Sequence, residues 1–290
     1  MDARKLLALV SLPAVAALGG WACSAAEAPP PGHESVAPER LSETGLFADA
    51  ASETLAAGVR PFSPQYPLWS DGAAKRRWVL LPEGATIDAR DPYAWSFPAG
   101  TKLWKEFRFG RRVETRYMER AADGSWIYAT YVWPEGGGEA VRAPEDGVRG
   151  ACATGLGTPH DVPAVQDCRA CHEGSPSRVL GFGALQLAAE RDPDAPHAET
   201  PEPGSLGLEE LLASGRLAGN EAAIRAAGRP IEARSPRERA ALGYLHANCG
   251  HCHNPTGTAN LDTCVEGPNG ELSECMLLRF SVADGDKAAG

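Results

Sequence analysis

Methionine is almost missing from this chain: Met1, Met118 and Met276 are the three in 290 residues. A site that needs a thioether ligand has few positions to draw on. Long apolar runs are missing too. Leu6 to Leu18 is apolar apart from Ser11, but it is too short and wrongly flanked for a stable membrane span. Positive charge is in deficit, with a net charge of −10, so the chain has no long-range attraction for nucleic acid. No phosphate loop is present, because Gly136-Gly137-Gly138 precedes no helix, and no nucleophile–base–acid signature stands out.

Cysteine, by contrast, is abundant at eight residues, which points to an oxidising compartment or to cofactor attachment. The N-terminus favours export. Arg4 and Lys5 precede the apolar stretch, and Gly19-Gly20-Trp21-Ala22-Cys23 follows it, so residues 1–22 read as a signal peptide. Cys23 stands where a lipoprotein carries its lipid, although Trp21 and Gly20 fit that motif poorly. The expected location is the periplasm or outer membrane, with membrane contact through a lipid anchor only. Residues 24–40, rich in Ala, Pro, Glu and Ser, read as a tether. A short helix is expected over Glu43 to Ala57, capped by Ser42, so that residues 23–58 form tether and helix.

From Val59 to Val148 the pattern changes, and six of the seven tryptophans fall there. Strand-like runs cover Arg76 to Leu81, Thr101 to Phe109, Val113 to Arg120 and Ser125 to Trp133. Asp123-Gly124 between the last two predicts a hairpin. Residues 59–150 are therefore expected to form an antiparallel β-domain, a sandwich or a barrel. The tryptophans fill its core or cover a neighbouring group, with a ligand platform as the alternative. Beyond residue 150 the expectation is a mostly α-helical domain with long loops. Helices are predicted at Leu206 to Ala213, Asn220 to Ala227 and Arg237 to Asn248, the last capped by Ser235-Pro236. The chain is thus read as multi-domain α+β.

Two short motifs carry the chemistry. Cys168-Arg169-Ala170-Cys171-His172 and Cys249-Gly250-His251-Cys252-His253 both have the spacing of covalent c-type haem attachment. On a helical turn, cysteines three apart lie side by side, where their sulfurs can form thioethers with two neighbouring haem vinyl groups. The adjacent histidine gives its imidazole to iron. At this composition one chance match is expected about 0.005 times per chain. Structural zinc needs four ligands close together, whereas Cys249 follows His172 by 77 residues. A thioredoxin-like pair would need a surrounding βαβ pattern, which is missing. Two covalent haems are expected, with His172 and His253 axial to iron.

The sixth iron ligands are less clear. Met276 and His160 are the distal candidates, each with a bland alternative: a core residue for Met276 and a loop residue for His160. His33 lies in the tether and His197 in a loop rich in Pro, Asp and Glu. His246 and His251 are too close to the second attachment site to reach the opposite face of that haem. Cys264 and Cys275 flank a turn-rich loop and are expected to form a disulfide, leaving Cys152 unpaired. A Cys152–Cys264 pairing is the alternative.

Several segments together resemble a family of bacterial exported dihaem c-type cytochromes. They are Tyr66-Pro67-Leu68-Trp69-Ser70-Asp71-Gly72-Ala73 with Lys75-Arg76, Trp95 to Thr101, Glu114-Thr115-Arg116, Val162-Pro163, Val179 to Phe182 with Leu185-Gln186-Leu187, and Tyr244 to Cys249 with Cys252-His253-Asn254. The likeness covers most of residues 60–262. It implies a β-domain joined to a cytochrome domain over 151–290 and haem at both motifs, but no substrate. Members are expected to carry a longer segment after the second motif. Here 37 residues follow His253, as in a shortened member. The expected function is electron transfer between periplasmic or outer-membrane redox proteins. A dihaem peroxidase-like enzyme and a surface binding module are the alternatives.

Overall fold

Alternating residues along four long strands build one six-stranded antiparallel sheet, in a computed structural model that describes residues 36–51 and 53–254. Cys23, Cys264, Cys275 and Met276 lie outside the described residues. In chain order the first elements are a 3-10 turn at Leu41–Thr44, then β1 (Phe47–Asp49), β2 (Thr54–Leu55), β3 (Val59–Pro61), β4 (Ala74–Leu80) and β5 (Ile87–Asp88). The sheet continues with β6 (Lys102–Phe109), β7 (Arg111–Arg120), β8 (Trp126–Val132) and β9 (Val141–Arg142). Then come β10 (Val148–Ala153), β11 (Pro159–Val162), α1 (Val165–Glu173), α2 (Leu208–Ala213), β12 (Leu217–Ala218), α3 (Glu221–Ala227) and α4 (Pro236–Asn248).

The sheet order is β3-β4-β6-β7-β8-β9, which follows the chain, so it is an open meander. The expected sandwich or barrel is not what this order gives: β3 and β9 end the sheet, and the other strands form three two-stranded pairs. The β7–β8 hairpin turns at Asp123-Gly124, as its sequence predicts. Only Gly124 uses positive φ, at 86°, while Asp123 Oδ1 accepts the Ser125 N–H at 2.8 Å. That is a type I turn closed by a left-handed glycine rather than the two-residue form.

Both faces of the sheet are covered, so strand alternation does not separate inside from outside. Trp78, Trp104, Tyr117 and Ala129 are register partners on one face. There they pack with Ala37, Leu41, Leu46 and Phe47 from the start of the described chain. This corrects the expected helix over Glu43 to Ala57. Gly45, at φ 85°, ends the short turn, and Phe47 then pairs with Leu55 in a small hairpin. Phe47 packs edge-on against Trp78 at 6.1 Å, and Trp104 Nε1–H donates to Thr44 Oγ1 at 2.9 Å. Burial against the sheet outweighs the weak helical propensity of this short segment.

On the opposite face Val79, Leu103, Met118 and Tyr128 pack against Val179, Phe182, Leu187 and Leu211. Phe182 sits edge-on to Phe62 at 4.9 Å and to Phe97 at 5.5 Å. A parallel pairing of β5 with β12, Ile87 opposite Leu217, ties the later segment to the earlier one. The three later helices form where the sequence predicts them, and α3 and α4 carry side-chain caps. Asn220 Oδ1 accepts Ala223 N–H at 3.0 Å, and Ser235 Oγ accepts Glu238 N–H at 3.1 Å. The chain is thus α+β with an antiparallel sheet. No described helix is long and apolar enough to cross a membrane.

Helix α4 approaches Tyr66 at Gly243, where an added Cβ would lie 2.1 Å from the ring. Tyr66 is fixed by its hydroxyl, which donates to Asp192 at 3.0 Å. Gly243→Val should therefore destabilise the fold by about 1–3 kcal/mol, lowering Tm by roughly 3–10 °C in a thermal melt. An unchanged Tm would mean that α4 does not rest on Tyr66.

Candidate functional site

Helix α1 carries the first motif. Ala164 N–H donates to Asp167 Oδ2 at 3.0 Å, which fixes the first turn. Cys168 and Cys171, three residues apart on this helix, both border a cavity of about 330 Å3, together with His172. That volume sits at the small end of ordinary ligand sites, which run from roughly 300 to 1,000 Å3. Burial raises both thiols above their usual range, so they are protonated at neutral pH.

His172 is held in one tautomer. Its Nδ1 lies 2.7 Å from the Arg178 carbonyl oxygen, which can only accept, so Nδ1 carries the hydrogen. The Nε2 lone pair is left for a ligand. Enclosure by the surrounding protein pushes the imidazole down to about 4, so it is neutral at physiological pH. Its remaining accessible surface is that of a cavity wall. The Tyr128 ring packs against it at 5.5 Å.

The second motif begins at the C-cap of α4, where Cys249 leaves helical geometry at φ −123°, ψ −31°. Its cysteines therefore span a turn rather than the first turn of a helix, with Cys252 N–H donating to the Cys249 carbonyl at 3.0 Å. Gly250 and His251 of this motif border the same cavity as Cys168, Cys171 and His172. Asn254 links the two motifs. Its buried amide is shared among the carbonyls of Gly174 (3.2 Å), at the end of α1, Gly250 (3.1 Å) and His251 (2.9 Å). Asn254→Leu would leave those carbonyls without this donor in a buried setting, at a cost of about 1–3 kcal/mol. A urea titration should show the lower midpoint. No change would mean that the amide does not clasp the two motifs.

The remaining candidates fall apart from this cluster. His160 sits on β11, 1% exposed, with Nδ1 2.8 Å from Asp71 Oδ2 and Nε2 3.1 Å from Glu114 Oε1. Both nitrogens are engaged by carboxylates, so His160 as a distal iron ligand is corrected to a buried ion-pair residue of the sheet. Cys152 lies half-buried on β10, opposite His160 in register. Trp69, at the surface, is tied to α4 by its N–H donating to Asn248 Oδ1 at 2.8 Å.

Sequence reasoning missed several cavity residues. Met118 reads as an ordinary strand residue, yet its side chain borders the cavity, as do His246 and His251. So does a row of three cations. Arg77 on β4, Lys105 on β6 and Arg116 on β7 are register partners on the covered face. Alternation within β6 held the signal, since Lys105 shares its face with Leu103 and Phe107. Tyr128 and Trp95 also border the cavity, although Tyr128 OH and Trp95 Nε1 are themselves buried, without a hydrogen-bond partner among the described residues and without surface open to the cavity. The site is thus a mostly apolar cavity with a few polar edges, beside the two thiols and the imidazole of α1. Comparison with protein-family models, with curated proteins and with solved structures finds no match for this chain.

Proposed function

We propose that the chain is an exported c-type cytochrome with covalent haem on Cys168 and Cys171 and His172 as axial ligand. A second haem belongs on Cys249, Cys252 and His253. The observation that supports this best is the His172 geometry. A neutral imidazole whose Nδ1–H is committed to the Arg178 carbonyl presents its Nε2 beside two thiols in one cavity. Met276, the distal candidate after the second motif, lies outside the described residues. When bound, haem supplies one-electron chemistry at iron. The chain's own part is to hold each ring by two thioethers, fix the imidazole tautomer and surround the site with apolar walls that exclude water. The short separation of the motifs suits passage of electrons between periplasmic or outer-membrane redox proteins. Lipidation at Cys23 would keep the chain at the membrane surface.

The test is to export the chain in a host that matures c-type cytochromes, then record intact mass, a pyridine haemochrome spectrum and a potentiometric titration. Two covalent haems with reversible one-electron steps are expected. No covalent haem would sink the proposal. A high-spin, five-coordinate iron with peroxide turnover would move the assignment to a haem enzyme.

A further inference from the structure

The row Arg77–Lys105–Arg116 runs across three neighbouring strands, so its backbone positions span about 9–10 Å. It lies on the face of the sheet that the later segment covers, and all three residues border the cavity. Arg77 is buried and Lys105 and Arg116 are partly so, and crowding three cations in a row there is costly unless anions answer them. The anions nearby are shared, and Asp167, which also borders the cavity, accepts the Ala164 N–H. Glu199 is shared: Arg77 Nη1 pairs closely with it and Lys75 Nζ lies 3.5 Å from it. Glu114 pairs with Arg116 at 2.7 Å, but it also faces His160 at 3.1 Å. Lys105, in the middle, has no hydrogen-bond or ion-pair partner among the described residues. Its Nζ rests 4.8 Å from the Phe107 ring centroid, a face that the Arg116 guanidinium also approaches at 4.2 Å.

Tyr128 and Trp95, 7% and 2% exposed, border the same cavity, but their hydroxyl and indole N–H are buried without surface open to it. The complement of such a cation row is an oxygen that carries negative charge. We propose that Arg77, Lys105 and Arg116 form an oxyanion cradle in this cavity, centred on Lys105 and taking a carboxylate or inorganic oxyanion. Two sources share that chemistry: a propionate of the haem held by α1, which rests on the haem reading, or a free oxyanion, which does not.

Burial pushes the Lys105 amine well below the usual lysine range, with the Arg77, Arg116 and Lys75 charges adding to the shift. A bound anion would oppose both causes and keep the row charged.

The test uses the full matured chain, weighed intact first so that haem occupancy is known. Inorganic phosphate is titrated by calorimetry at low ionic strength, and midpoint potentials are measured for wild type, Lys105→Met and Lys105→Arg. If a propionate is the anion, phosphate does not bind saturably. Lys105→Met then lowers one midpoint potential, Lys105→Arg preserves it, and the iron stays low-spin. If the anion is free, phosphate binds saturably, about tenfold or more weaker in Lys105→Met and little changed in Lys105→Arg. If the chain carries no haem, the haem reading fails, and the phosphate titration of that haem-free chain still decides for or against the cradle. Should Lys105→Met not fold, Lys105→Gln carries the same comparison. The proposal is overturned if neutralising Lys105 moves neither potential nor phosphate affinity. It is equally overturned if the iron turns high-spin, because the amine would then be an iron ligand.

Discussion

Replacing Cys168 and Cys171 together by alanine should remove one whole covalent haem per chain, the largest single change expected for this protein. The argument starts from the helix. On α1 the two thiols sit three residues apart beside His172 and border one cavity. With both thiols gone, only coordination by His172 and contact with the walls would hold a ring there, and neither survives denaturation. Intact mass under denaturing conditions therefore separates the outcomes. A loss of one haem, with the second still on Cys249 and Cys252, supports two independent attachment sites. An unchanged haem count would show that α1 is not an attachment site. Stability should suffer less than haem content, because both thiols are only half-buried and neither anchors a hydrogen bond in the sheet. His172→Ala in the same background of intact cysteines should keep the mass but change the iron spectrum, since it removes the axial nitrogen and not the thioether links.

Much of this arrangement is legible in the residues, and the part that is not has identifiable reasons. The four long strands and three of the helices follow from periodicity and caps that act locally, such as Asp123-Gly124 and Ser235-Pro236. The segment 41–57 misleads because its hairpin strands are only three and two residues long. Alternation cannot register over so few positions. What fixes them is Trp78 and Trp104, far along the chain. His160 misleads for a related reason. A histidine twelve residues before His172 looks available as a ligand, but its partners Asp71 and Glu114 lie 89 and 46 residues away in sequence. Lys105 is the reverse case. Its place between Leu103 and Phe107 marks it as a cation on an apolar face, yet only the pairing of β4, β6 and β7 shows that Arg77 and Arg116 stand beside it. The nearness of the two Cys-x-x-Cys-His motifs is likewise a property of the fold. It depends on α4 resting against Tyr66 at Gly243 and on Asn254 reaching the end of α1.

Glu114→Gln should be the most damaging substitution to the fold outside the motifs, at a cost of about 3–5 kcal/mol. That corresponds to a fall of roughly 6–20 °C in Tm. Glu114 is fully buried, and its carboxylate meets Arg116 Nη2 at 2.7 Å and His160 Nε2 at 3.1 Å. His160 is also held by Asp71 at 2.8 Å and flanked by the rings of Phe107 and Phe109. Burial alone would raise the Glu114 pKa, but Arg116 and His160 outweigh it and hold the carboxyl below its usual 4.5. Burial alone would lower the His160 pKa, but the bonds to Glu114 and Asp71 outweigh it and lift the imidazole above its usual 6.5. The signs then set the pH window. The depressed carboxyl contributes stability above about pH 4.5, lost as pH falls through its folded value. The raised imidazole contributes stability below about pH 6.5, lost as pH rises through its folded value. Both act between those limits. In Glu114→Gln the larger of the two forces lifting His160 is gone, leaving Asp71 alone against burial, so protonation of the ring adds less to folding than in wild type. The Tm gap between wild type and variant should accordingly be widest near pH 5–6 and narrow as pH rises beyond the folded pKa of His160. Thermal melts across that range decide the matter: a gap that does not change with pH would mean that Glu114 acts through Arg116 alone and that His160 is neutral in the fold.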